Sequence, residues 1–464
     1  MKLSESVTKL LQEIPVQIPL KITETFIDAD LSLLDKIKII GISGSRGKTS
    51  TAIMIHQYLK TKGFKSILYC SAGIDSPAGC IDSSKCCETT IQDKKDILRV
   101  IMEAYLYQPD YLVLEVNEIA VKKGLYHYFP FKIRALTNIF NDHNIDQGPS
   151  EIYVKSIKAF LKDIPKEEQS ISVIGLTGDI DNKCFCELMS INDKPKYTFG
   201  SLFTATEKGV DYTSLNNYIY VCEHSMQGLK IKVKVNGEQV HISSKLLMPY
   251  NTFNIASAIS ILDALNIFEV NLFQEVIYDI KIPGREEVFR FNERTVIIGI
   301  YLDPALEYLR KYQKRFEIEN LRVITGAPGT GYKGWDEVFL SDFYVSQRPK
   351  FRKEAMDYLK DYVRHVYITA NDNAAEDPET ICRELKGYLG KYIKSEIIID
   401  RHEAIKKAIH DMREGDCLFI AGRGNRNVFV EGETTFKILK DSDVVLEVIK
   451  DLEVEMALKG ESDI

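Results

Sequence analysis

Residues 37–49 read Ile37-Lys38-Ile39-Ile40-Gly41-Ile42-Ser43-Gly44-Ser45-Arg46-Gly47-Lys48-Thr49. The first six are a short apolar run rich in β-branched residues, which predicts a buried strand. Lys48 to Lys60 predicts a helix. Between them, Gly44 to Thr49 has the shorter Gly-x-x-Gly-Lys-Thr form of a phosphate-binding loop. The long form needs a further Gly at position 42, where this chain has Ile42. A strand–loop–helix of this kind turns the positive end of a helix and its unpaired N–H groups toward an anion. Glycine lets the backbone approach phosphate oxygens closely. Lys48 then neutralises β/γ-phosphate charge, and the Thr49 hydroxyl is suited to Mg²⁺.

Outward from this loop, strands are expected near 66–70, 110–115, 133–139, 171–175 and 195–199, with helices near 92–107, 150–163 and 181–189. Such alternation implies a mainly parallel sheet covered by helices. A short amphipathic helix fits residues 3–12. The pattern changes after 210. Leu229 to Val235 alternates apolar and charged residues, and Asn236-Gly237 leads into a second strand around Val240-His241-Ile242, the signature of a type I′ hairpin. A second α/β series has strands near 295–300, 321–325, 365–369, 396–400 and 416–421. The expected fold is therefore α/β: a central phosphate-loop, parallel-sheet domain over 37–292 with an antiparallel β attachment, and a C-terminal Rossmann-like domain over 293–464. A short segment, 1–36, precedes them.

The 464 residues are enough for two or three domains. The 45% apolar and 27% charged content is that of a soluble globular chain, and no apolar run is long enough to cross a bilayer. With no secretory signal at the N-terminus, a cytoplasmic location is expected. A net charge of −7 argues against a general nucleic-acid binder. The nine cysteines show no Cys-x-x-Cys pair and read as reduced thiols rather than a zinc site.

Two further segments carry candidate metal ligands. Tyr111-Leu112-Val113-Leu114-Glu115 ends an apolar strand in a carboxylate, and ligand sites of open parallel sheets lie at the carboxyl ends of strands. Leu136-Thr137-Asn138-Ile139-Phe140-Asn141-Asp142-His143 ends another expected strand and brings Asp142 and His143 to the same edge.

With these residues in place the chain resembles the Mur ligase superfamily, over nearly everything from 37 to about 430. Gly44 to Thr49 is similar to that family's Gly-Thr-Asn-Gly-Lys-Thr loop. Glu115 resembles its metal-binding glutamate, and Thr137-Asn138 to Asp142-His143 its Thr-Asn-…-Asp-His segment. The resemblance implies ATP as substrate and Mg²⁺ held by Thr49, Glu115 and His143. It also implies a carbamylated lysine, for which Lys158 stands fifteen residues after His143; Lys155 is the rival. Lys48, His143 and Lys158 are the catalytic candidates. Asn251 and Asn254, within Tyr250-Asn251-Thr252-Phe253-Asn254, match a segment that contacts adenine. Arg285, within Ile282-Pro283-Gly284-Arg285-Glu286, matches an ATP-contacting arginine, and Asp303 a ribose-contacting aspartate. Thr89-Thr90 resembles a pair that contacts the carboxylate substrate. Thr369 to Pro378, Asp400 to Ile405 and Ala421-Gly422-Arg423-Gly424-Asn425-Arg426 are similar to segments of the branch that adds the third residue of the peptidoglycan stem. Gly148-Pro149 resembles the folylpolyglutamate synthetases, and Gly326-Ala327-Pro328-Gly329 the cyanophycin synthetases.

Departures narrow the substrate. That branch has roughly a hundred residues before its loop, whereas 43 precede Gly44 here, so a full uridine-binding domain is not expected. Its Asp-Asn-Pro-Arg becomes Asn371-Asp372-Asn373-Ala374, losing the arginine, and its Gly-His-Glu acid becomes Arg426. Asn371, Asp372 and Arg426 are the candidate residues for the second substrate. The implied reaction is ATP-dependent formation of an amide from a small-molecule or peptide-like carboxylate and an amine, through an acyl phosphate, by a monomer or homodimer. A catalytically altered subunit or regulatory ATPase acting with a partner is the alternative, and a small-molecule kinase is a third.

Overall fold

The computed structural model describes residues 34–77, 79–82, 90–140, 150–162, 170–300, 302–311, 313, 318–330, 342–391, 393–432 and 434–461. The chain divides into two compact units, Met1–Ile280 and Lys281–Ile464. The helix expected over 3–12 lies outside the described residues.

In the first unit, strands β1 (Lys38–Ser43), β2 (Ser66–Cys70), β3 (Gly73–Ser76), β4 (Gly79–Asp82), β5 (Tyr111–Glu115), β6 (Phe131–Leu136), β7 (Ile171–Gly175), β8 (Lys196–Ser201), β9 (Asn217–Ser225), β10 (Gly228–Val235) and β11 (Glu238–Ser244) form one sheet. Its order is β11-β10-β9-β8-β7-β6-β1-β5-β2-β3-β4. From β8 to β2 all neighbours are parallel. Ile39, Ile40 and Ile42 of β1 are wholly buried, as an internal strand of a parallel sheet covered on both faces requires. The neighbours of β1 are β5 and β6, both far later in the chain, so the strand order switches beside it. Crevices for ligands open at such a point, beyond the carboxyl ends of the strands.

The hairpin forms as its sequence predicts. Val235 pairs with Glu238, and both loop residues have positive φ, 48° at Asn236 and 89° at Gly237, as a type I′ turn requires. One strand more than expected belongs to this piece. Strand β9, rich in half-buried tyrosines, pairs antiparallel with β10 and joins the attachment to β8.

Helix Lys48–Thr61 packs against the sheet and is tied to the segment before helix Val270–Tyr278. The Tyr58 hydroxyl donates to the carbonyl of Ile267 at 2.5 Å and accepts the N–H of Glu269 at 2.9 Å.

In the second unit, β12 (Glu287–Phe291), β13 (Arg294–Gly299), β14 (Leu321–Thr325), β15 (His365–Ile368), β16 (Lys394–Ile397) and β17 (Cys417–Ala421) form a sheet in the order β12-β13-β17-β14-β15-β16. Only β12 runs antiparallel. It pairs with β13 through a tight turn, so this unit begins upstream of the expected position 293. A separate hairpin, β18 (Val428–Glu431) and β19 (Thr434–Lys437), follows β17.

One buried ion pair ties the last helix, Asp441–Glu461, to this sheet. Arg401 donates from Nε and Nη2 to the two oxygens of Asp441, at 2.8 and 2.7 Å, and from Nη2 to the carbonyl of Ala421 at 2.9 Å. Both side chains are almost fully buried. Replacing Arg401 by Met leaves the Asp441 carboxylate buried without its cation, so a loss of about 3–5 kcal/mol is expected. The measurement is the urea midpoint, with the Arg401→Met/Asp441→Leu double variant recovering most of the loss.

Candidate nucleotide site

The loop from Gly44 to Thr49 is fixed mainly by the residues that follow β6. Asn138 clasps Arg46 from both sides: its Oδ1 accepts the Arg46 N–H at 2.8 Å and its Nδ2 donates to the Arg46 carbonyl at 2.9 Å. The Thr137 hydroxyl donates to the same carbonyl at 2.7 Å. The Ser45 N–H donates to the Asn138 carbonyl at 3.1 Å, and Ser45 Oγ accepts the Phe140 N–H at 2.8 Å. The Arg46 guanidinium lies over the Phe140 ring, 5.0 Å from its centroid.

Two glycines are demanded by this arrangement. Gly44 has φ 131°, and a Cβ there would lie 2.2 Å from the Thr137 hydroxyl. Gly47, the N-cap of helix Lys48–Thr61, has φ 82°, and a Cβ there would lie 2.1 Å from Asn254 Oδ1. The Lys48 ammonium folds back onto the loop, donating to the carbonyls of Gly44 at 2.7 Å and Ser45 at 3.3 Å.

Directly below the loop the ends of three elements meet. The Thr49 hydroxyl donates to Glu115 Oε2 at 2.9 Å and lies 2.8 Å from the Ser71 hydroxyl, while the Ser71 N–H donates to the same Glu115 oxygen at 2.8 Å. Thr49 is 5% exposed and Glu115 4%. Among the described residues no cation pairs with this buried carboxylate, a costly state that a bound cation would relieve. The donors are hard oxygens: one carboxylate and two hydroxyls. Such a sparse set fits Mg²⁺, which keeps several of its waters, better than a softer metal. Among the described residues no group of three or more His, Cys, Asp and Glu forms an alternative metal site.

The other expected residues fall in several places. Asn251 and Asn254 open helix Asn251–Ala264, which brings Asn254 against Gly47. Asn254 Nδ2 donates to Asn251 Oδ1 at 2.9 Å. Asn251 Nδ2 is buried and has no partner among the described residues, a donor held beside the loop. Thr90 is buried, and its hydroxyl accepts from Asn117 Nδ2 at 2.8 Å, two residues beyond Glu115. Thr89, Asp142 and His143 lie outside the described residues. Lys158, on helix Ser150–Lys162, pairs with Glu187 at 2.5 Å, and Lys155 on the same helix is exposed. Ser71 was not among the expected residues. It follows directly on a predicted strand, so the rule that selected Glu115 would also have selected it.

In the second unit, Asn371, Asp372 and Arg426 converge. Asp372 Oδ1 accepts from Arg423 Nη1 at 2.8 Å and from the Val430 N–H at 3.1 Å, and its Oδ2 accepts from Arg426 Nη1 at 3.0 Å. Arg423, which sequence reasoning did not single out, is completely buried, and its guanidinium lies over the Phe429 ring. Burial pulls its pKa below the ordinary arginine value, and the adjacent Asp372 opposes that shift. Arg426 is half exposed. Arg285 donates from Nη1 to the Gly284 carbonyl at 3.4 Å, and Asp303 begins helix Asp303–Lys311.

A braced Gly-x-x-Gly-Lys-Thr loop at the switch point of a parallel sheet, above a buried carboxylate and two hydroxyls, defines a phosphate-loop nucleotide-binding protein. The profile of the Mur ligase middle domain matches residues 42–262, and that of the Mur ligase glutamate ligase domain matches residues 305–424. The chain belongs to the Mur ligase family and is an ATP-dependent, amide-bond-forming ligase. It is 25% identical to the UDP-N-acetylmuramoyl-L-alanyl-D-glutamate--2,6-diaminopimelate ligase of Aquifex aeolicus, over 89% of this chain and 78% of that protein. It is 27% identical to the second such ligase of Clostridium acetobutylicum, over 89% and 79%. Among solved structures, Mycobacterium tuberculosis folylpolyglutamate synthase complexed with ADP aligns with a TM-score of 0.63 at 15% identity, covering 90% of this chain and 95% of that one. The MurF ligase of Thermotoga maritima in complex with ADP aligns with 0.61 at 15% identity, covering 93% and 84%. Among the described residues no helix is long and apolar enough to cross a membrane.

Gly47→Ala tests the loop. It adds a Cβ against Asn254 in left-handed backbone, so a stability loss of about 1–3 kcal/mol is expected. ADP affinity, measured by titration calorimetry, should fall with it.

Proposed function

We propose that the chain activates a carboxylate as its acyl phosphate and passes the acyl group to an amino acid that itself carries an acidic group. The observation that carries the first half is the loop with Lys48 above Thr49, Ser71 and Glu115, with Asn254 against Gly47. A carboxylate oxygen of the first substrate attacks the γ-phosphorus of ATP, and ADP leaves. The amine nitrogen then attacks the acyl carbon, phosphate leaves, and the nitrogen loses a proton. Lys48, released from the carbonyls of Gly44 and Ser45, balances charge on the transferring phosphoryl group. The unpaired Asn251 amide offers a hydrogen bond to the nucleotide. Thr90, which accepts from Asn117 two residues beyond Glu115, would contact the carboxylate substrate on the family resemblance.

Thr49 and Glu115 would hold Mg²⁺, with His143 and, as its carbamate, Lys158 as further ligands on the family resemblance. Mg²⁺ would offset negative charge on the phosphates. The family relationship favours a cytoplasmic reaction.

The second half rests on Asp372. Its carboxylate is taken up by Arg423, Arg426 and the Val430 N–H, so it has little capacity left for a substrate ammonium. The exposed part of Arg426 instead offers donors to an anion. This is the reverse of a pocket that reads an amine with an acid, and it favours an acceptor whose carboxylate docks on Arg426. The Aquifex and Clostridium relatives named above are 2,6-diaminopimelate ligases; the altered charges here favour a different acceptor.

A phosphate-release screen across carboxylates and amino acids tests this reading. ADP and free phosphate should appear together, and only with both substrates present. Lys48→Ala should lower kcat by about a hundredfold or more. Glu115→Gln should raise the Mg²⁺ concentration for half-maximal activity by about tenfold. Arg426→Ala should raise KM for the amino acid with little change in kcat. ADP release that needs no amine, or a phosphorylated product without free phosphate, would overturn the proposal.

A further inference from the structure

The second unit has two edges. Asn371, Asp372, Arg423 and Arg426 follow the carboxyl ends of β15 and β17. At the opposite edge, Asn320 and Arg322 stand at the amino end of β14, Arg364 and His365 at that of β15, and Lys394 at that of β16, with Arg413 just before β17. These six residues line one cavity of about 260 Å³.

The charges around it are unevenly paired. Asp416 is buried and fully engaged, accepting from Arg322 Nε at 2.8 Å, Asn320 Nδ2 at 2.8 Å and the Arg413 N–H at 3.0 Å. Arg322 Nη1 lies 3.3 Å from His365 Nδ1 and 3.4 Å from the Tyr367 hydroxyl. Asp411 is engaged by Lys407 and by the Tyr367 hydroxyl. Glu396 lies 3.5 Å from Lys394 Nζ and 3.2 Å from His365 Nε2. Burial, Lys394 and Arg322 hold the His365 imidazole below its usual pKa, against the pull of Glu396 and Asp411. The guanidinium groups of Arg364 and Arg413 have no acidic partner among the described residues. The lining itself contains no carboxylate.

Arg322 is paired with Asp416 and Lys394 with Glu396, whereas the exposed Arg364 and Arg413 bring two further guanidinium charges to the same recess, which an anion would offset. Guanidinium forks suit the planar or tetrahedral oxygens of carboxylate and phosphate. The volume lies near the lower end of the roughly 300–1,000 Å³ of pockets that enclose drug-sized ligands, and a small dianion fits it.

We propose that this cavity is a second anion site, separate from the phosphate loop, that takes a single phosphoryl group, either free phosphate or a small phosphomonoester. The proposal does not rest on the ligase reading. Arg364 and Arg413 supply the free donors, Arg322 is held in place by Asp416, and Lys394 completes the ring.

The test is titration calorimetry on the full chain saturated with ADP, using inorganic phosphate and glycerol 3-phosphate at low ionic strength. One saturable site is expected, weakened by added salt and retained in Lys48→Ala. Arg364→Ala and Arg413→Ala should each weaken it by about tenfold, with melting temperatures close to that of the parent chain. Tighter binding of phosphate supports the site as one for free phosphate, and tighter binding of glycerol 3-phosphate as one for a phosphomonoester. No saturable binding in the parent chain would overturn the proposal. So would binding that is lost in Lys48→Ala, or that survives the Arg364→Ala/Arg413→Ala double variant.

Discussion

The Asn138 side chain holds both polar backbone groups of Arg46, and much of the first unit is arranged so that it can. A loop that must present its backbone to phosphate cannot rely on phosphate to keep its shape. Here the chain after β6 does so, through Asn138, Thr137 and the Asn138 carbonyl. That brace works only because β6 is the neighbour of β1, and β6 is the neighbour of β1 only because the strand order switches there. The same switch makes β5 the other neighbour and β2 the next, which delivers Glu115 and Ser71 to Thr49. The sheet order, the loop's conformation and the oxygen cluster are therefore one constraint seen at three scales.

How much of this was legible in the sequence depended on the range of the interactions. The parallel strands and the Asn236-Gly237 turn were readable because burial periodicity and turn chemistry are local. The loop was readable because it needs Gly, Lys and Thr at fixed spacing between a strand and a helix. Strand β9 was missed because its tyrosines are half-buried and its alternation is weak. Strand β12 was missed because its pairing partner, not its own pattern, makes it a strand. Thr137 and Asn138 were noticed only as companions of Asp142 and His143; their grip on Arg46 spans about ninety positions. Arg423 was likewise invisible as the partner of Asp372, fifty-one positions away, since a buried arginine looks in sequence like any other.

The two units treat charge in opposite ways. Around Glu115 an acid is buried with hydroxyls and an amide but, among the described residues, no cation, which makes it a receptor for one. Around Asp372 an acid is buried with two arginines and a backbone amide, which makes it a fixture. Arg423 has no exposure and serves to set the carboxylate, and the carboxylate in turn sets Arg426. Asp372 thereby gives the half-exposed Arg426 a fixed direction.

The folded-back lysine of the loop has an energetic side. With its ammonium on the carbonyls of Gly44 and Ser45, Lys48 is partly satisfied before any nucleotide arrives. Binding of a polyphosphate would therefore exchange these two carbonyl contacts for phosphate oxygens, so part of the attraction between Lys48 and phosphate is offset by the contacts it gives up.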